Sequence, residues 1–238
     1  MSILKNIHPS WQPVLYKLHE APLRELNTKI LPNISYQPRP EHIFRALEQP
    51  VDAIKVTILG QDPYPTPGNA IGHAFAVPQN RTKPKSLQII EREVLNTDPL
   101  NVNKGSEIDM NSWPDQGILL LNTALTVETG RAGSHLKYWK EFTGHLIRFL
   151  SATRPCIWLL WGKNAQSFEQ MVANPRHHVK GYNRETIETM PMNPDWNYIL
   201  KANHPAAEAY GSGGFYNRDH FYFVNRILAL QGRGTIVW

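Results

Sequence analysis

Four points in this sequence place a side chain capable of chemistry directly after a short apolar run. Asp62 and Tyr64 follow the first run in Gly60-Gln61-Asp62-Pro63-Tyr64, Asn122 closes the second, and His204 follows the fourth, before Pro205. Gly162 and Lys163 follow the third. A carboxylate at position 62, on a backbone restrained by Pro63, could orient a water molecule. It could equally be a turn-forming aspartate. Asn122 could read a polar ring through its amide or cap a strand end. His204 could donate to a leaving group or be an ordinary loop histidine. Phe75, within Ala74-Phe75-Ala76-Val77, reads on its own as core. An acid, an amide, an imidazole and an aromatic ring with no His or Cys cluster at metal-ligand spacing point to a hydrolytic or base-recognition site that needs neither cofactor nor metal.

The elements that must hold these groups can be read from periodicity. The runs Ile54 to Leu59, Ile118 to Leu121, Ile157 to Trp161 and Tyr198 to Leu200 are continuously apolar rather than alternating. That pattern belongs to strands covered on both faces, as in a parallel sheet between helices. Helical spacing appears in Ser86 to Leu95, Tyr138 to Leu150 and Asn164 to Val172, and again around Trp11, Val14, Leu15 and Leu18 and around Ile43, Phe44 and Leu47. The expected fold is therefore a three-layer α/β/α arrangement on a central, mainly parallel, four-stranded sheet, with the reactive groups beyond the carboxyl ends of the strands.

Composition narrows the class. No Pro/Gly/Ser-rich linker interrupts the 238 residues, so 1–238 reads as a single domain. The one cysteine, Cys156, lies inside an apolar run, which excludes a disulfide framework and a cysteine metal site and fits a reducing compartment. The first residues carry Lys5 and His8 and no long apolar stretch, so the expectation is a soluble intracellular protein with no membrane association, cytoplasmic or, in a eukaryotic host, nuclear. A formal net charge of +5 and a pI near 9.3 lean toward a polyanionic partner. Basic clusters occur at Arg81, Lys83 and Lys85, at Lys137 and Lys140, and at Arg176, Lys180 and Arg184, each of which could also be a solvated face.

Taken together, six ordered blocks resemble the family 1 uracil-DNA glycosylases from about residue 11 onward. They are Gly60-Gln61-Asp62-Pro63-Tyr64, the segment around Phe75, Lys83-Pro84-Lys85-Ser86-Leu87, Leu119-Leu120-Leu121-Asn122-Thr123, Leu159-Leu160-Trp161-Gly162, and Leu200-Lys201-Ala202-Asn203-His204-Pro205. The resemblance implies a monomeric, cofactor-free hydrolase that removes uracil from single-stranded or duplex DNA after the nucleotide has been extruded. It assigns catalysis to Asp62 and His204 and the uracil pocket to Gln61, Tyr64, Phe75 and Asn122. Contact with DNA falls to Lys85, Ser86, Pro205, Ala206 and Tyr210.

Two departures fall on the DNA-handling side. Pro65 stands where the family has histidine after the tyrosine. After Pro205 the family's Ser-Pro-Leu-Ser is replaced by Ala206-Ala207-Glu208-Ala209, followed by Tyr210 and Gly211-Ser212-Gly213-Gly214. Glu208 would be a costly wedge between phosphates and bases, so Tyr210 or Phe215 is expected to enter the stack instead. The opposing reading has no wedge and poor handling of duplex uracil. The segment 173–194 is longer than the resemblance predicts and receives no role. Two other functions stay open: a weakly catalytic DNA-binding or processivity protein on the same fold, and a hydrolase of free nucleosides.

Overall fold

The computed structural model describes residues 4–97, 108–173, 175–178, 183–189 and 193–238, with 175–178 described by backbone alone. Among the described residues, five parallel strands form the central sheet: β1 (Val56–Gly60), β2 (Ile118–Asn122), β3 (Ile157–Trp161), β4 (Pro175–His178) and β5 (Asn197–Ala202), with Tyr36–Gln37 and Val127–Glu128 pairing antiparallel apart from it. Their spatial order is β2-β1-β3-β5-β4. The four expected strands make up its first four positions. The fifth, β4, adds an edge from within the unassigned 173–194 stretch, where its mixed Pro-Arg-His-His sequence carries no apolar-run signal.

Three longer helices pack on the sheet: α1 (Lys85–Thr97), α2 (Leu136–Thr153) and α3 (His220–Leu230). Val56, Ile58, Leu120 and Leu159 face a core shared with Leu87, Ile90 and Val94 of α1 and Phe221, Val224 and Ile227 of α3. Leu59, Leu119, Leu121, Trp158 and Leu160 face the other core, with Trp139, Phe142 and Leu146 of α2. Both faces of every central strand are thus withdrawn from water, which is why those runs lack alternation. Each fully buried aliphatic side chain contributes about 1.5–3 kcal/mol.

The N-terminal segment departs from expectation. The positions with helical spacing are mostly buried, but the backbone there is a series of 3₁₀ turns, among them Pro9–Trp11, Tyr16–His19, Pro40–His42 and Arg45–Leu47, with α-helical pieces only at Gln12–Leu15 and Ala21–Glu25. Repeated prolines remove the N–H groups a long helix needs, while a 3₁₀ turn keeps a spacing of three and so imitates the helical pattern. The helix expected over Asn164 to Val172 is likewise only Lys163–Gln166 followed by a 3₁₀ turn at Glu169–Met171. Ser167 Oγ donates to the Asn164 carbonyl at 2.6 Å and competes for the backbone where the helix breaks. Among the described residues no helix is long and apolar enough to cross a membrane.

Candidate active site

Parallel pairing puts Gly60 opposite Asn122 at the carboxyl ends of β1 and β2. A Cβ at position 60 would lie 2.3 Å from Asn122 Oδ1 and 2.9 Å from the Ala74 Cβ, so only glycine lets the asparagine side chain cross the end of β1. Asn122 is 5% exposed, and among the described residues its amide has no hydrogen-bond partner. Asn197, at the opposite end of the sheet, shows what a structural buried asparagine does. Its Oδ1 accepts from Cys156 N and Trp158 Nε1 at 3.1 and 2.9 Å, and its Nδ2 donates to the Ser151 and Ala173 carbonyls at 2.9 and 2.8 Å. The Asn122 amide is not sealed from solvent, so its donors and acceptor, held by no protein group among the described residues, stay open to another partner.

The loop after β1 is tied down by backbone groups far away in sequence. Gly133 N donates to Asp62 Oδ2 at 2.5 Å, and Gln61 Nε2 donates to Asp62 Oδ1 at 3.2 Å. Burial raises the Asp62 pKa above the ordinary carboxylate value, and those two donors oppose the shift. The Pro65 carbonyl accepts from Gly130 N at 3.0 Å, so the proline where histidine was expected lies in a loop tied to the same 130–133 segment. Thr123 extends the support, its hydroxyl lying 2.7 Å from the Gln61 carbonyl and 2.6 Å from Asn164 Oδ1.

Tyr64 is held at its far end. Its hydroxyl donates to the Phe75 carbonyl at 3.1 Å, which leaves the Ser86 hydroxyl, 2.9 Å away, as the donor to Tyr64. Burial raises the Tyr64 pKa. Phe75 has φ +65°, a conformation that bulky residues adopt only when their surroundings impose it. Its ring is wedged between Trp161 and His204, with centroids 5.7 and 5.8 Å away. The ring is 7% exposed, as a core residue would be, and it borders His204.

His204 is placed by Gly162, whose φ of +91° and lack of Cβ let the imidazole stem approach; a Cβ there would lie 2.9 Å from that of His204. The His204 Nδ1 accepts the backbone N–H of Ala206 at 3.1 Å. Burial lowers the His204 pKa, so the neutral ring is favoured with its proton on Nε2.

The residues expected to contact DNA are arranged unevenly. Ser86 is buried and engaged with Tyr64, Pro205 is buried, and Ala206 is half-buried. Tyr210 is 77% exposed, and Lys85 Nζ lies 5.7 Å from its ring centroid. Phe215, the other wedge candidate, is 2% exposed and packs edge-on against Trp161 at 5.0 Å, so it has no freedom to enter DNA. Glu208 turns inward and accepts from Phe215 N at 2.6 Å and Tyr216 N at 2.9 Å, closing the 206–216 hairpin. Among the basic clusters, Lys83 pairs with Glu91 at 2.7 Å and Arg184 with Asp219 at 2.5 Å, which makes them structural in part. Lys180 lies outside the described residues.

Sequence reasoning missed several supports. Trp161 backs Phe75 and donates from Nε1 to buried His220 Nδ1 at 2.9 Å, but within an apolar run it reads as core. Gly133 and the Ala206 N–H act through backbone, which leaves no mark on residue type. The glycines after Tyr210 do signal a tight hairpin, and its need for an internal anchor could have pointed to Glu208.

The chain matches the family model described as Uracil DNA glycosylase superfamily over residues 49–229. The uracil-DNA glycosylase of Halalkalibacterium halodurans is 36% identical, covering 100% of this chain and 98% of that protein. That of Dichelobacter nodosus is 35% identical, covering 98% and 95%. Among solved structures, mimivirus uracil-DNA glycosylase superposes with a TM-score of 0.78 at 25% identity, covering 100% of this chain and 89% of that one. A substituted mimivirus UNG in complex with UGI gives 0.79 at 25% identity, with coverage of 100% and 91%. With the strand-end residues drawn together as described, and a match spanning all three layers of the fold, the chain belongs to the uracil-DNA glycosylase superfamily.

Proposed function

We propose that the chain is a uracil-DNA glycosylase that hydrolyses the bond between C1′ and N1 of an extruded deoxyuridine, releasing uracil and leaving an abasic site for base excision repair. The observation that carries this reading is Asn122, a largely buried residue whose amide crosses the end of β1, is open to solvent and has no protein partner among the described residues. Uracil offers the complementary pair, an O4 acceptor and an N3–H donor. Cytosine reverses both, so it would leave buried groups unpaired.

The remaining geometry suits the bond-breaking step. Phe75 stacks on the base, and Tyr64 stands at C5, where thymine carries its methyl group. As C1′–N1 stretches, negative charge grows on uracil O2, and the Nε2–H of neutral His204 donates to it; loss of such a donor typically costs about 10²-fold or more in rate. Positive charge grows on the sugar. The Asp62 carboxylate, already partly withdrawn from water and fixed by Gly133 and Gln61, stabilises that cation and positions the attacking water. Lys85, Tyr210 and the backbone of Ser86, Pro205 and Ala206 meet the DNA, with Tyr210 filling the place the uridine leaves.

The test is uracil release from single-stranded and duplex oligonucleotides, with thymine- and cytosine-containing strands as controls. Release of uracil alone supports the proposal. Tight DNA binding without release would favour the processivity-type alternative, and turnover of free deoxyuridine that is indifferent to salt would favour a nucleoside hydrolase.

A further inference from the structure

Beside the exposed Tyr210 lies a pocket of about 340 Å³, walled on one side by α1 and on the other by the 206–209 turn and Tyr216. Lys85, Gln88, Ile89 and Arg92 form the α1 wall, spaced at i, i+3, i+4 and i+7, and so share one helix face. Lys85 and Arg92 form no ion pair among the described residues, unlike Lys83, which is held by Glu91. Glu208 is the one carboxylate in the lining, and its Oε1 is occupied by the N–H groups of Phe215 and Tyr216. With two cations against one acid that is already hydrogen-bonded, the pocket is positive and lined with donors.

We propose that this pocket is a phosphodiester site for duplex DNA flanking the extruded nucleotide, with Arg92 and Gln88 as backbone-contacting residues beyond those of the uracil site. The inference rests on the reading of the chain as a uracil-DNA glycosylase. The Lys85 ammonium already lies over the Tyr210 ring, which fixes one end of the helix face beside the residue that enters the stack. From Lys85 to Arg92 the axis advances about 10 Å, or roughly three base steps of one strand. Lys85 therefore meets the backbone near the extrusion point and Arg92 meets it further along the helix. A duplex holds these phosphates on a fixed path, whereas a single strand must give up chain freedom to lie along the same face. The site thus favours duplex over single-stranded DNA, which offsets in part the loss of the family's serine-containing loop after Pro205.

The experiment measures Kd for a duplex carrying a stable abasic-site analogue, and for the matching single strand, across a series of salt concentrations. Arg92→Ala is expected to lower the magnitude of the duplex log Kd against log salt slope by about one unit and to reduce the duplex-to-single-strand affinity ratio. Gln88→Glu, which puts a carboxylate into the pocket, is expected to reduce that ratio further. Arg148→Ala, which removes an exposed cation from α2 on the other face of the sheet, controls for net charge and should leave the duplex slope as it is. A slope for Arg92→Ala equal to that of Arg148→Ala would overturn the proposal, as would equal losses on duplex and single strand. Because binding is read without catalysis, an absence of uracil release would sink the proposed activity and leave this result standing or falling on its own.

Discussion

Nδ1 of His204 accepts the backbone N–H of Ala206 at 3.1 Å, and this one bond decides which imidazole nitrogen is left to donate. With Nδ1 occupied as an acceptor and the charged ring disfavoured by burial, the remaining proton is on Nε2. His204→Ala should cut uracil release about 10²-fold or more. Ala206→Pro keeps the imidazole and deletes the donor, and because Pro205 has a ψ of −41° that a following proline disfavours, it also moves the turn that carries that donor. Single-turnover kinetics should place it between wild type and His204→Ala. Wild-type rates in Ala206→Pro would remove the tautomer argument.

The acid limb of kcat/KM follows from two opposite shifts. Asp62 must be ionised, and burial lifts its pKa above the ordinary value of about 3.9; His204 must be neutral, and burial brings its pKa below about 6.5. Both groups switch off as pH falls, so the limb should lie between those two values, with a flat profile from its upper end to pH ~8. A pH–rate profile on single-stranded substrate checks this, and a limb above pH ~6.5 would contradict it.

Asn122→Ala should separate stability from function. Among the described residues no partner loses a bond, so the melting temperature should hold or rise, as is common where a site is built at the expense of stability. Uracil release should fall by two orders of magnitude or about that, since a buried polar match to the base is lost. Thermal melts beside rate measurements provide the test; a drop of many degrees would mean that Asn122 is structural, as Asn197 is.

For Tyr210 the informative quantity is a ratio. Tyr210→Ala should lower duplex excision about tenfold or more, because base–aromatic stacking is worth roughly 1–3 kcal/mol, while single-strand excision stays near wild type. An unchanged ratio would exclude Tyr210 as the residue that enters the stack.

Beneath the site, His220 is buried with its pKa lowered to about 3, chiefly by burial. Its unfolded form takes up a proton near pH ~6.5. Between those values the unfolded state binds more protons, so stability falls as pH drops from ~6.5 toward 3. His220→Ala should remove its own share of that slope, leaving that of His73, whose pKa burial lowers to about 4, and should leave the Trp161 N–H buried and unpaired, at a cost of about 1–3 kcal/mol at neutral pH. Melting curves at two pH values measure both effects.

The central strands were legible because burial on both faces leaves an unbroken apolar run, and the strand-end residues were legible because glycine, asparagine and histidine stand where such runs stop. The N-terminal segment was misread because 3₁₀ turns at successive prolines bury residues at the same three- and four-residue intervals as a helix. β4 was invisible because an edge strand has no need of an apolar run. Glu208 was read as an obstacle in the DNA interface, and its inward turn depends on the left-handed glycines at 211, 213 and 214 that let the chain fold back over it. That Asn122 is unspent while Asn197 is saturated could be known only from the partners around each.

Tyr64 touches structure at both ends of its ring axis, through its own backbone and through a hydroxyl held by Phe75 and Ser86. In the proposed function this ring must turn away a base larger by one methyl group, a difference worth only about 1–3 kcal/mol in a pocket that can give way. Thymine rejection is then a question of compliance rather than of size. Tyr64→Phe would keep the wall and lose its fastening, and Ser86→Ala would loosen it from outside. Since Ser86 belongs to the first turn of α1, the proposal grounds the selectivity of the base pocket mechanically in the same helix that it places against the DNA.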